Sequence, residues 1–128
     1  MKIRVWLYMA AFALYLGGPL SAHHSWTADY DGGKPVTVKG VVSKVEWTNP
    51  HTHFYVDVKD ANGTVKTWNF EMASTLALER GGWTRKTLPV GTEVTIAGFG
   101  GRSVTERAIA SSITTADGKS LFVGKPGQ

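Results

Sequence analysis

The side chains able to do chemistry in this chain are concentrated in four histidines, which fall into two pairs. His23 and His24 are adjacent. His51 and His53 stand two residues apart, at the head of a run in which Phe54, Val56 and Val58 alternate with Tyr55, Asp57 and Lys59. Alternation of this kind marks a strand with one buried face, and residues i and i+2 share a face. His51, His53, Tyr55 and Asp57 therefore belong to the outer face, with the two imidazoles roughly 7 Å apart at Cα. That spacing lets both rings reach one metal ion. Glu71 lies on the outward parity of the next strand, with Thr67 and Asn69, and can add a carboxylate.

His23 gains a second property if the chain is cut after Ala22. A free α-amine and its own imidazole can then chelate one ion in a single ring, and an amine with a pKa of about 7.7–8 yields its proton to a metal near neutral pH. Imidazole and amine nitrogens suit Cu(II), Zn(II) and Ni(II), with copper bound most tightly. The first expectation is a metal-binding protein of carrier or chaperone type, with His23, His24, His51, His53 and Glu71 as ligands. Copper is favoured over zinc and nickel.

Two other readings stay open. A His-X-His pair on an exposed strand, or a solvated His-His terminus, also occurs where nothing is bound. The domain would then be a metal-free module that holds a small ligand or a partner protein on a face carrying Trp47, Tyr55 and Asn69. The third reading is an enzyme, either copper-dependent or hydrolytic, at the same histidines. Other catalytic signals are weak: there is no Gly-x-Ser-x-Gly elbow, phosphate loop or dinucleotide fingerprint. No catalytic residue is assigned, and the balance leans away from an enzyme.

The cut after Ala22 follows from the first residues. Lys2 and Arg4 make a positive start, and the 12 residues Val5 to Leu16 carry no charge. Such a length suits a secretory signal, whereas a membrane-spanning helix needs roughly 20 residues. Gly17-Gly18-Pro19 then breaks the helix, and Leu20-Ser21-Ala22 forms the cleavage site. The expected address is the periplasm or the exterior, with no membrane span after cleavage. Removing 22 of 128 residues leaves 106, enough for one domain. Loss of Lys2 and Arg4 lowers the formal charge from +4 to +2. The basic residues are scattered rather than clustered, which argues against a nucleic-acid partner. Cysteine is absent, so there is neither a disulfide nor a thiolate metal site.

The elements that must position the histidines read as follows. Residues 23–35 form an irregular arm, residues 36–124 a single domain, and residues 125–128 a tail. The first strand starts at Val36. Its alternation changes parity beside Gly40, so that Val45 and Trp47 resume on the opposite parity, which signals a β-bulge. Asp60-Ala61-Asn62-Gly63 turns the second strand into a third, Val65 to Met72. Ser74 caps a short helix over Thr75 to Arg80, stopped by Gly81-Gly82. Strands follow over Glu93 to Phe99, Arg107 to Thr115 and Ser120 to Val123. Trp68 falls on the core parity, while Trp47 is expected beneath the arm with Trp26. The fold class is all-β with one short helix. A bent first strand and a helix between strands three and four indicate a small OB-like five-stranded barrel, with an open β-sandwich as the alternative.

Several runs resemble the DUF6152 family of small exported bacterial proteins. They are His23-His24-Ser25-Trp26, Lys34 to Gly40, Val45-Glu46-Trp47-Thr48-Asn49-Pro50-His51, Gly82-Trp83-Thr84, Leu88-Pro89-Val90-Gly91 and Asp117 to Phe122. The resemblance implies a bacterial, periplasmic protein with one small β domain and implies no activity. Gly100-Gly101 departs from the family pattern and reads as a flexible loop.

Overall fold

A computed structural model of the chain describes residues 26–124. The expected signal peptide, His23, His24 and the tail at 125–128 lie outside the described residues. The elements are a 3-10 turn at Trp26–Ala28, then β1 (Tyr30–Glu46), β2 (His53–Lys59), β3 (Val65–Glu71), α1 (Thr75–Arg80), β4 (Glu93–Gly101), β5 (Arg107–Thr115) and β6 (Ser120–Val123).

β1 is the hinge of the architecture. Its first part pairs antiparallel with β4 and its last part pairs antiparallel with β2. β2 pairs with β3, β4 with β5, and β5 with β6. A short parallel pairing of Asn69–Glu71 with Arg107–Ile109 joins β3 to β5. Strands β1, β2, β3, β5 and β4 thereby close into a ring, and β6 extends the edge of β5. This is an OB-like arrangement, and closure rules out the open sandwich by pairing both edges that a sandwich would leave free.

The bend in β1 has two local causes. A Cβ on Gly40 would stand 2.2 Å from the carbonyl oxygen of Asp57, so only glycine allows the strands to approach there. The register then slips between Val42 and Lys44, the bulge that the parity change foretold. Val42 points inward before the bulge and Trp47 after it, while Lys44 and Glu46 are turned to the outside beside Tyr55 and His53.

Inside the ring, Val42, Phe54, Val56, Phe70, Met72, Val94, Ile96, Ala108, Ala110 and Ile113 form the centre of the core. Helix α1 contributes Leu78, and Trp47 and Trp83 close the same end. Ser74 caps the helix by accepting from the Ala77 N–H at 3.2 Å, and Gly81 terminates it.

Three readings of the sequence are corrected here. Residues 30–35 are part of β1 rather than an irregular arm, because Tyr30 and Pro35 pair with Gly101 and Phe99 of β4. Gly100 and Gly101 end β4 and are not a loop, and a Cβ at either would crowd Lys34 or the Val104 carbonyl. Trp47 packs in the main core rather than under the arm, since the bulge directs it inward. Trp26 instead stacks on Phe99 with ring centroids 5.4 Å apart. Arg102 holds this turn in place, donating from its backbone N–H to the Asp29 carbonyl and from Nε to the Thr27 carbonyl, both at 2.9 Å.

Candidate functional site

Cross-strand register assembles the site on the outer face of the ring. Directly paired residues share a face. His53 pairs with Glu71 and Glu71 with Ile109, while Tyr55 pairs with Asn69 and Asn69 with Arg107. On the other side, Lys44 pairs with Tyr55 and Glu46 with His53. Eight side chains from four strands therefore converge in two adjacent rows. Four of these were expected on this face, His53, Tyr55, Asn69 and Glu71, and the expected His51, just before β2, joins them through its contact with Glu71. Trp47 is not among them.

Glu71 is the centre of the site. It is only 7 % exposed, yet it carries the chemistry of a carboxylate. Burying such a group is costly unless its oxygens are paired. Oε2 accepts from the Tyr30 hydroxyl and from Arg107 Nη2, the latter at 3.1 Å. Oε1 lies 2.6 Å from His51 Nδ1. Arg107 also donates from Nε to the Tyr30 hydroxyl at 3.0 Å and lays its guanidinium over the Tyr30 ring. Burial, and then the hydrogen bond to Glu71, raise the Tyr30 phenol well above its ordinary pKa. The phenol therefore stays a donor throughout the physiological range.

A second set of contacts holds His53. Its Nδ1 lies 2.9 Å from Asn69 Oδ1. Tyr55 donates its hydroxyl to Glu46 Oε2 at 3.1 Å, and Lys44 pairs with the other oxygen of Glu46. Those two donors, Lys44 first, hold the Glu46 carboxyl below the usual carboxylate range. Burial, then the bond to Glu46, raises Tyr55.

Each histidine thus turns Nδ1 toward an oxygen acceptor of β3. A ring that donates from Nδ1 keeps its Nε2 lone pair for a ligand, the arrangement in which a carboxylate or amide orients a metal-binding imidazole. Glu71 itself is already engaged with three donors. If a metal were bound here, those contacts would let Glu71 orient His51. Among the described residues no group of three or more His, Cys, Asp or Glu side chains is spaced to hold an ion. His51 and His53 would supply two nitrogens, and further donors would have to come from residues outside 26–124 or from solvent.

Tyr30, Arg107, Lys44 and Glu46 had not been anticipated at the site. A signal existed for Lys44 and Glu46, because the parity change at Gly40 already turns them outward. None existed for Arg107, which reaches Glu71 only through the parallel closure of β3 on β5. Tyr30 was hidden in a stretch whose Asp and Gly residues read as irregular.

The profile of a family of unknown function, DUF6152, matches residues 13–110. This chain belongs to the DUF6152 family. No functionally curated protein matches this family member. Among solved structures it is similar to the N-terminal domain of PriB from Thermoanaerobacter tencongensis, which was solved as a dimer. Identity is 21 %, the match covers 66 % of this chain and 97 % of that one, and the TM-score is 0.46. Among the described residues no helix is long and apolar enough to cross a membrane.

Proposed function

We propose that this DUF6152 protein is an exported metal-binding protein of carrier or chaperone type, with copper(II) as its preferred ion. The observation that carries the reading is the pair of Nδ1 contacts, His51 to Glu71 and His53 to Asn69. In the neutral tautomer that donates from Nδ1, these contacts leave Nε2 of each ring as a ligand nitrogen. A bare His-X-His on a strand needs no such support. Imidazole nitrogen without cysteine favours copper over the other divalent ions. His23 and His24 are the natural source of further nitrogens, through the amine that cleavage after Ala22 would free.

Export rests on residues 1–22, and mass spectrometry of the protein recovered from the periplasm tests it, with His23 expected at the amino terminus. Metal binding is tested by titrating Cu(II) against a chromophoric chelator into the protein beginning at His23, and into its His51→Ala and His53→Ala variants. Binding tighter than roughly micromolar, weakened in both variants, is the expected result. Weaker binding, or binding that neither substitution changes, would overturn the reading. Loss on His23→Ala as well would place the terminus in the same site.

A further inference from the structure

A second feature lies on the other side of β1. Glu46 and Trp47 are consecutive, and Glu46 faces His53 while Trp47 enters the core. Beyond Trp47, at the end of the ring covered by α1, a cleft of about 480 Å³ is lined by Trp47, Glu79, Trp83, Thr84, Arg85 and Lys86. We propose that this cleft binds a small organic anion with a flat, apolar body.

The walls argue for a formed site. Trp47 and Trp83 are 8 % and 6 % exposed, so each offers only an edge to the cleft while its body is fixed in the core. Trp83 packs against Phe54 with centroids 5.9 Å apart and edge-on to Phe122 at 6.3 Å. Neither indole can swing out and fill the space without emptying the core. The loop that carries the charges is also tied down. The Trp83 N–H donates to the Leu78 carbonyl at 2.9 Å, the Thr84 N–H to Thr87 Oγ1 at 2.8 Å, and the Lys86 N–H to Thr84 Oγ1 at 3.2 Å. A ligand would meet a prearranged surface and would not have to order it.

The chemistry follows from the lining. Small-ligand sites are mostly apolar hollows of about 300–1,000 Å³ with a few convergent polar groups. Here the floor is two indole edges, which favour the face of a flat aromatic partner in edge-to-face contact. Arg85 and Lys86 stand on the rim, and neither forms an ion pair among the described residues. Two cations against the single Glu79 leave the rim positive. A carboxylate, sulfonate or phosphate on the ligand would satisfy them with charge-assisted hydrogen bonds. Glu79 can accept from a hydroxyl or amine on the same molecule. Among the described residues no side-chain hydrogen bond, ion pair or ring stacking joins this lining to the histidine face, so loss of metal binding should leave this site intact.

The test uses two fluorescent probes of similar shape and opposite standing. 8-Anilinonaphthalene-1-sulfonate carries one negative charge, and N-phenyl-1-naphthylamine carries none. Both are titrated into the protein beginning at His23, into an Arg85→Gln/Lys86→Gln variant, and into a Lys59→Gln/Lys119→Gln variant that removes the same charge elsewhere. The sulfonate is expected to saturate at one molecule per chain, with energy transfer from tryptophan. Loss of the rim cations should weaken it by roughly tenfold, the order of one charge-assisted contact. The neutral probe should change little in that variant, and both probes little in the control. Sulfonate binding that does not saturate overturns the proposal. So does binding indifferent to Arg85→Gln/Lys86→Gln, or equally weakened by the control.

Discussion

His51 Nδ1 lies 2.6 Å from Oε1 of Glu71, so an exposed imidazole is steered by a carboxylate that is itself buried. The other oxygen of that carboxylate holds Tyr30 and Arg107, from the first and last strands of the ring. His51 therefore inherits its orientation from contacts that only closure of the ring creates.

Glu71→Gln is expected to weaken Cu(II) binding by about 10- to 100-fold, the usual effect of removing an orienting carboxylate behind a metal-binding histidine. Asn69→Ala should weaken it through His53. Chelator competition measures both, and circular dichroism checks that the ring is intact. An unchanged affinity in both would leave the histidines without the assigned support.

Tyr30 carries a pH dependence with a defined sign. Its folded-state pKa is raised, by burial and by Glu71, above the ordinary phenol value of 10.0. Above about pH 10 the unfolded chain loses the proton that the folded chain keeps. Stability from this group is thus complete below that pH and falls as the solution becomes more alkaline. Urea midpoints across the alkaline range should drop less steeply for Tyr30→Phe than for the parent. Some slope will remain, because Tyr55 is raised as well.

Thr52 offers a stabilising substitution. Its backbone is paired, accepting from Met72 and donating to the Ala73 carbonyl. Its hydroxyl is buried with no hydrogen-bond partner among the described residues. Thr52→Val keeps the shape and removes the unpaired group, so a gain of about 1 kcal/mol is expected in urea unfolding. A loss of stability would mean that the hydroxyl has a partner.

Gly40 should tolerate no side chain. In Gly40→Ala the new methyl would meet backbone, the Asp57 carbonyl oxygen at 2.2 Å. Overpacking of this kind costs about 1–3 kcal/mol or more. Gly98→Ala meets the Ile109 carbonyl at 2.1 Å and should behave alike. Gly33→Ala would approach only a flexible Asp31 side chain at 3.3 Å, and should stay near the roughly 0.5 kcal/mol of ordinary surface changes. Thermal or urea unfolding of the three variants gives the comparison.

Much of the fold was legible because its signals are local. Ser74 and Gly81-Gly82 bound a helix whose ends depend on hydrogen bonds to near neighbours, and it spans Thr75–Arg80 as read. Asn62-Gly63 turns one strand into the next, with Gly63 at φ 83°. The His51 and His53 face follows from a two-residue period that needs no knowledge of the partner strand. Tyr30 failed because an edge segment rich in Asp and Gly has weak propensity and becomes strand only when β4 supplies its hydrogen bonds.

By itself, the sequence determined the strand faces, the bulge and the turn positions, since each is encoded within a few residues. It also put the histidines, Glu71 and Asn69 on outward faces of paired strands, while their direct contacts are seen only in the structure. Which donors surround Glu71, and where Trp47 points, were decided only by tertiary structure. Arg107 stands 36 residues from Glu71 in the chain and Tyr30 stands 41. Contacts at that separation leave no periodic trace. They exist because the ring closes, and a carboxylate buried by that closure must gather every donor within reach.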